Sequence, residues 1–326
     1  MKEAMYYEKK EKNYVACKLC PHYCTIAEGD LGKCRVRKNE EGTLYAMNYG
    51  KITSSSYDPI EKKPLYHFYP GANIFSIGSF GCNLACDFCQ NWEIVYDDSR
   101  AQEIEDESII SLAGERDSIG IAFTYNEPSI WYEYILELSE KIQKKNLKTV
   151  MVTNGFINEE PLKQILPYID AMNIDLKSID DSFYTSICKG KLDPVLKTIE
   201  LASKYTHVEV TTLVIGGENS SEKQIRKLAE TIADIDKSIP LHLSRYYPAY
   251  KMRAPATDIE VLLNARRIAK QYLDYVYIGN VAGVDNDTYC KNCHTRIISR
   301  ENKTENIGIK DGKCSNCEEK IYGKYM

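Results

Sequence analysis

Three cysteines, Cys82, Cys86 and Cys89, fall within the stretch GCNLACDFCQNW, and no fourth follows nearby. Thiolates at CxxxCxxC spacing can hold three corners of a four-iron cubane. The remaining iron is then left without a protein ligand, open to chelate a small molecule and pass it an electron. Zinc would instead need a fourth ligand to close a structural site, or a water for hydrolysis, and no HxxxH-type partner is at hand. Two other cysteine groups flank this loop: Cys17, Cys20, Cys24 and Cys34 in CKLCPHYCTIAEGDLGKC, and Cys290, Cys293, Cys314 and Cys317 in CKNC and CSNC. Cys188 stands alone.

The late pair of CxxC knuckles is zinc-ribbon-like. It predicts a closed tetrahedral site for zinc, or for rubredoxin-like iron, that supplies folding energy a segment this short cannot find in a core. The early group suits either structural zinc or a second iron-sulfur cluster, and spacing does not choose between them. His22, inside that loop, is expected at the surface. Cys188 is expected to behave as a small buried hydrophobe. The opening residues MKEAMYYEKKEK lack an apolar signal core, so the chain is expected in the cytoplasm, where twelve cysteines argue for metal binding or catalysis rather than disulfides.

The elements that must position these groups read as α/β. Short apolar runs (NIFSIGSF, GIAFTYNE, KTVMVTNG, AMNIDLK, HVEVTTLVIG, LHLSRYYP, YVYIGNV) alternate with stretches of helical period such as PSIWYEYILELSEKIQKK and SEKQIRKLAETIADI. Pro128, Asp193, Ser220 or Ser221, and Thr257 are the expected helix starts. Alternation of this kind means parallel strands with crossover helices. The expected division is a Cys-rich N-terminal extension and strap over 1–71, the α/β unit over 72–283 and the ribbon-like segment over 284–326. Lys62, Lys63 and His67 in the strap read as a solvated loop. Polar residues recur at the expected C-terminal ends of the strands, among them Asn126, Glu127, Thr153, Asn154, Asp175, Lys177, Thr211, Thr212, His242, Arg245 and Asn280. In a parallel β/α unit that edge is where chemistry gathers.

Bulk properties narrow the function class. The 326-residue chain is 43% hydrophobic and 27% charged with a formal charge of −5, ordinary for a soluble domain and unsuited to broad phosphate-backbone binding. Nucleic acid is therefore an unexpected partner, and no apolar run reaches membrane-spanning length.

CNLACDFC, with an aromatic before its third cysteine and closing the first strand of the α/β unit, resembles the radical S-adenosylmethionine (SAM) superfamily. The resemblance implies a partial (β/α)6 barrel whose four-iron, four-sulfur cluster binds the amino and carboxylate groups of SAM. It also implies one-electron cleavage to methionine and a 5'-deoxyadenosyl radical that abstracts hydrogen from a substrate. Phe88 would then flank the adenine. Pyruvate formate-lyase activating enzymes carry Gly-Gly-Glu-Pro where this chain reads TYNEP, so the glycines are absent and Glu127 is what remains for the amino group. TNG and DLK match that branch and imply Asn154, Asp175 and Lys177 near the methionine carboxylate or ribose, with Arg245 a further cofactor contact. CKLCPHYC, GDLGKCRVR, DPIEKKPLYHFYPG, FTYNEPS and YIGNV make the chain similar to the radical enzyme of the AmmeMemoRadiSam system. That implies Memo-type and AMMECR-type partners and an electron donor such as flavodoxin or ferredoxin. A glycyl-radical-enzyme activase is the alternative within the class; a non-catalytic iron-sulfur and zinc protein is the alternative outside it.

Overall fold

The computed structural model describes residues 1–325. Its centre is one eight-stranded sheet built from β1 (Ser54–Pro59), β2 (Asn73–Gly78), β3 (Ser118–Phe123), β4 (Lys148–Thr153), β5 (Ala171–Asp175), β6 (His207–Val214), β7 (Leu241–Arg245) and β8 (Val276–Gly279). The strands lie side by side in chain order; β1 pairs antiparallel with β2 and every later neighbour is parallel. Each of the seven expected runs supplies one parallel strand, one more than a six-strand unit needs. These strands read as near-continuous apolar runs because helices cover them, so both faces are dry.

Six helices link the parallel strands in turn: α1 (Asp106–Ala113), α2 (Tyr132–Gln143), α3 (Glu159–Ile165), α4 (Leu192–Ala202), α5 (Glu222–Asp236) and α6 (Ile259–Ala269). In α5 the buried side chains Ile225, Leu228, Ala229 and Ile232 follow three- and four-residue spacing, and a reciprocal Ser221–Gln224 capping box starts the helix. Pro128 opens a short 3₁₀ turn that leads into α2. Two expected starts move. Asp258, not Thr257, caps α6, because the Thr257 hydroxyl is taken by the Val214 carbonyl at 2.6 Å. Asp193 lies inside the first turn of α4, whose opening Leu192 amide is held by Asp181.

Of the strap residues read as a solvated loop, Lys62 is exposed and the other two are not. Lys63 is 3% exposed and pairs with Asp58 at 2.8 Å, and His67 is fully buried. The reason lies at the N-terminal edge of the sheet, where Glu209, the third residue of β6, accepts four hydrogen bonds. They come from the backbone amides of Tyr66 and His67 (2.9 and 2.7 Å) and from His207 and His242 (2.9 and 2.7 Å). His242 therefore belongs to the start of β7 and not to the C-terminal edge where the sequence suggested it. The His67 ring contacts the Tyr322 carbonyl and the Tyr277 hydroxyl, each at 2.7 Å, while its carbonyl accepts from the Lys324 amide and the Tyr69 amide donates to the Lys324 carbonyl, which stitches the end of the chain beneath the sheet.

The N-terminal extension is anchored from the other side. Arg37, 1% exposed, makes a bidentate pair with Glu133 of α2 at 2.8 and 2.9 Å. Among the described residues no helix is long and apolar enough to cross a membrane.

Candidate active site at the C-terminal edge of the sheet

The cysteine loop follows β2 directly, and Gly81 is required there. Its φ is +82°, and an added Cβ would lie 2.5 Å from Val36 and 2.8 Å from the Cys34 carbonyl. Asn126, from the loop after β3, holds the approach to Cys82: its Oδ1 accepts from the Ser79 amide at 2.9 Å and its Nδ2 donates to the Phe80 carbonyl at 3.1 Å. On the far side, the turn Tyr184–Cys188 has the wide π-helical winding, a form that recurs at functional sites. Its Cys188 and Ile187 carbonyls accept from the amides of Ala85 and Asp87 at 3.0 and 3.1 Å. Cys188 is fully buried in the hydrophobic core, as expected. It is also near enough to Cys86 for the two thiols to act on each other, the Cys86 thiol being drawn below its ordinary value and that of Cys188 pushed up.

The three sulfurs open onto a cavity of about 230 Å³ whose lining also includes Phe88, Glu127, Asn154, Asp175 and Lys177. Five of the six expected cofactor contacts therefore converge. Arg245 does not. Its Nε donates to the Thr257 carbonyl at 2.7 Å and its Nη1 to the Tyr247 hydroxyl at 3.2 Å, outside this lining.

The converging residues divide by what they have left to offer. Glu127 is 3% exposed, and its carboxylate already accepts from the amides of Ser129 and Asn154 (2.9 and 2.8 Å) and from the Thr153 hydroxyl (2.6 Å). Burial pushes its carboxyl up, and those three donors oppose the shift. It braces the end of β3 against the end of β4. Asn154 is also engaged: its Nδ2 donates to Asn83 Oδ1 at 2.9 Å and reaches Cys82 Sγ at 3.6 Å, and its Oδ1 accepts from the Phe156 amide.

Asp175 and Lys177 pair with each other at 2.8 Å beside the cavity, and Lys177 Nζ lies 5.8 Å from the centre of the Phe88 ring. Burial works against the Lys177 ammonium, but Asp175 and the nearby Cys86 thiolate outweigh it and hold its pKa well above the ordinary value. Burial, reinforced by Glu127, pushes the Cys82 thiol well up. A metal that binds these sulfurs must displace their protons, and its own charge supplies the compensation.

TYNEP has its own geometry. Tyr125, at the position of the first family glycine, has φ of +70°, the left-handed region that favours glycine. Its carbonyl accepts from Asn91 of the cysteine loop at 2.8 Å, and its hydroxyl reaches back to Asp58 at 3.1 Å. Tyr125 therefore stays on the wall of the cavity, with its hydroxyl tied back to the strap. Tyr246 is buried on the Met252 carbonyl and Tyr247 rests on the Asn280 carbonyl, so neither lines the cavity.

The donor set fits a three-thiolate cluster. Besides the sulfurs, the Leu84 amide at 3.4 Å and Asn154 Nδ2 point at Cys82 Sγ, the outer support that thiolate ligands of iron-sulfur centres use. Sequence reasoning missed Asn83, whose Nδ2 donates to the Phe156 carbonyl at 2.7 Å. Its place between Cys82 and Cys86 was the available signal, but one asparagine in a loop is usually a turn residue. His22 was misplaced: it is half-buried, with Nε2 2.7 Å from the Asn83 carbonyl.

Comparison with known proteins gives the same class. The family model described as the radical SAM superfamily matches residues 76–232. The chain belongs to this superfamily. It is 43% identical to Uncharacterized protein MJ0808 of Methanocaldococcus jannaschii over 98% of this chain and 99% of that protein. It is 26% identical to the isethionate sulfite-lyase activating enzyme of Oleidesulfovibrio alaskensis, over 43% of this chain and 48% of that protein. Among solved structures, Streptococcus suis SuiB bound to precursor peptide SuiA aligns with a TM-score of 0.50 and 14% identity, covering 68% of this chain and 51% of that one. That likeness is one of fold alone.

Proposed function

We propose that this chain is a radical SAM enzyme of the AmmeMemoRadiSam type, in which Cys82, Cys86 and Cys89 hold a four-iron cluster that binds SAM. The observation that carries the reading is the convergence of three sulfurs, Phe88, Asn154 and the Asp175–Lys177 pair on one cavity inside the family-matched segment. The sheet around that cavity reads as a partial (β/α)6 barrel extended by one strand. When bound, the cluster supplies the electron that breaks the sulfonium sulfur to C5' bond of SAM.

The chain's own residues do the positioning. Phe88 offers a flat apolar face to adenine. Asp175 and Lys177 present an anion and a cation to the ammonium and carboxylate of the methionine part and to the ribose. Glu127 and Asn154, saturated by loop hydrogen bonds, act by fixing the backbone that faces the methionine end. The substrate that loses hydrogen is unidentified. Memo-type and AMMECR-type proteins and a flavodoxin or ferredoxin are the proposed partners, the cytoplasm is the proposed compartment, and zinc is the proposed occupant of the closely gathered C-terminal cysteines.

Anaerobic, reconstituted and reduced protein mixed with SAM is expected to release 5'-deoxyadenosine. Release no greater than from Cys86→Ala overturns the enzymatic reading and leaves the non-catalytic one. A second reading, activation of a glycyl-radical enzyme, is favoured by relatives named as activating enzymes, including those for isethionate sulfite-lyase and 4-hydroxyphenylacetate decarboxylase. Against it, the segment between Cys89 and Glu127 holds no further cysteine for the clustered CxxCxxC insert of many activases. Stoichiometric appearance of a backbone glycyl radical on an added partner would decide for activation.

A further inference from the structure

The four N-terminal cysteines are built unlike the four C-terminal ones. In the C-terminal set Cys290 and Cys317 sulfurs are 3.5 Å apart, Cys293 and Cys314 are 3.7 Å apart, and all four sulfurs lie within 4.8 Å of one another. That matches the edge of about 3.8 Å of a tetrahedron with zinc-sulfur bonds of about 2.3 Å. Among the described residues no other set of three or more ligating atoms gathers so closely. No three sulfurs among Cys17, Cys20, Cys24 and Cys34 lie within 4.8 Å of one another, nor do those of Cys82, Cys86 and Cys89, and the four N-terminal cysteines line a small cavity of their own. Thiolates that each take a different corner iron of a cubane stand farther apart than those around a single ion.

A second observation is independent of sulfur spacing. Arg37 lines the same cavity, and while its two terminal nitrogens bind Glu133, its Nε is buried without a hydrogen-bond partner. A buried N–H left without an acceptor is costly, and the sulfurs of an anionic cluster are the acceptors this cavity would bring to it.

A third concerns location. His22, two residues past Cys20, contacts the carbonyl of Asn83 at 2.7 Å, and Asn83 follows Cys82. Cys34 packs its carbonyl onto Gly81, which precedes Cys82. The loop's outer side reaches solvent, where Cys24 is half-buried and Tyr23 is 60% exposed.

We propose that Cys17, Cys20, Cys24 and Cys34 ligate a second four-iron, four-sulfur cluster, and that this cluster relays electrons from a protein donor to the three-cysteine site through the His22–Asn83 and Cys34–Gly81 contacts. In each transfer a reduced flavin or iron-sulfur donor loses one electron, the N-terminal cluster gains it and returns to its oxidised state as the three-cysteine cluster is reduced. No bond breaks and no proton moves. The relay half rests on the function proposed above; the metal half does not.

The test uses the full chain, reconstituted anaerobically with iron and sulfide, beside the triple variant Cys82→Ala/Cys86→Ala/Cys89→Ala, which leaves the N-terminal cysteines intact. The wild type is expected to hold about eight irons and eight sulfides, and the variant about four of each with a cubane spectrum. Zinc without sulfide in the variant overturns the proposal. Should the variant not fold, Mössbauer spectra of the wild type decide: SAM perturbs one iron in about eight if two cubanes are present, and one in about four if the N-terminal site holds zinc. For the relay, the paramagnetic signal of the reduced variant is expected to saturate at lower microwave power than the same signal in the reduced wild type, where a second spin lies nearby. Identical saturation removes the relay. None of these measurements reads SAM cleavage, so the proposed function can fail separately.

Discussion

Both edges of the parallel sheet carry buried polar networks, and they differ in what remains unpaired. At the N-terminal edge Glu209 is fully buried and saturated by two histidines and two backbone amides, with His67 tied to Tyr277 and to the chain's end. At the C-terminal edge Glu127, Asn126 and Asn154 are just as firmly held, but their hydrogen bonds fix backbone around three sulfurs, an aromatic ring and an ion pair that face a cavity. One network consumes its polar groups to lock the strap and the C-terminal end under the sheet. The other uses some of them to leave the rest presented. Buried polarity alone therefore does not mark a site; what a network leaves facing a cavity does.

The largest expected effect separates the edges outright. Cys86→Ala is predicted to abolish 5'-deoxyadenosine release and to lower bound iron by about four per chain, with little change in the denaturant midpoint of the metal-free protein. Its mirror at the other edge is Glu209→Gln. Two histidines and two amides lose their anionic acceptor, and unfolding free energy is predicted to fall by about 3–5 kcal/mol by denaturant titration. Cleavage per folded molecule should persist; its loss would mean the two edges are coupled.

Acid should attack the N-terminal edge first. Burial lowers His67 to about 3, so it stays neutral in the folded protein while the unfolded chain takes up a proton below about 6.5. Its contribution is intact above about 6.5 and is lost progressively as pH falls toward 3, amounting to roughly 2–3 kcal/mol by pH 4.5. Glu209 is opposed by burial but held well below its usual range by His207 and His242, so its share is present above about 4.3 and lost as pH falls below that. Stability measured between pH 7 and 4.5 should slope downward in the wild type and flatten in His67→Phe.

A smaller effect is expected from Glu127→Gln. It keeps the side-chain shape but costs one charge-assisted acceptor at the β3–β4 brace, worth about 1.5–3 kcal/mol, and should slow SAM cleavage by about tenfold or more without removing iron. Arg245→Gln should change cleavage least, since its guanidinium is occupied with Thr257 and Tyr247 away from the cavity. A large loss there would return Arg245 to the cofactor and sharpen the line drawn around the site.

Much of this was legible in the chain. CxxxCxxC spacing is local, and so is the order of apolar runs and amphipathic helices that sets the parallel sheet; both follow from chemistry and period over a few residues. Asp175 and Lys177 were readable because they sit at the end of a run whose direction the alternation fixes, and Phe88 because the family resemblance singles out the aromatic before the third cysteine. Other features depend on groups far apart in sequence. Nothing near His67 announces Glu209, which lies 142 residues away, and nothing near His22 announces Asn83, 61 residues away. Cys188 became a neighbour of Cys86 only once a wide helical turn closed over the cysteine loop. His242 and Arg245 share one strand, but only its depth in the sheet assigns the first to the N-terminal network and the second to the rim.

The sequence by itself determined which atoms can bind metal, the parallel α/β architecture and the side of the sheet where the reactive loop emerges, because thiolate spacing and hydrophobic period act locally. Only the tertiary structure decided which polar groups are spent on one another and which stay presented, and that one cysteine tetrad gathers around a single-ion volume while the other is more widely spaced beside Arg37. Those outcomes depend on distances across the fold, where burial makes each pairing strong and each missing partner costly.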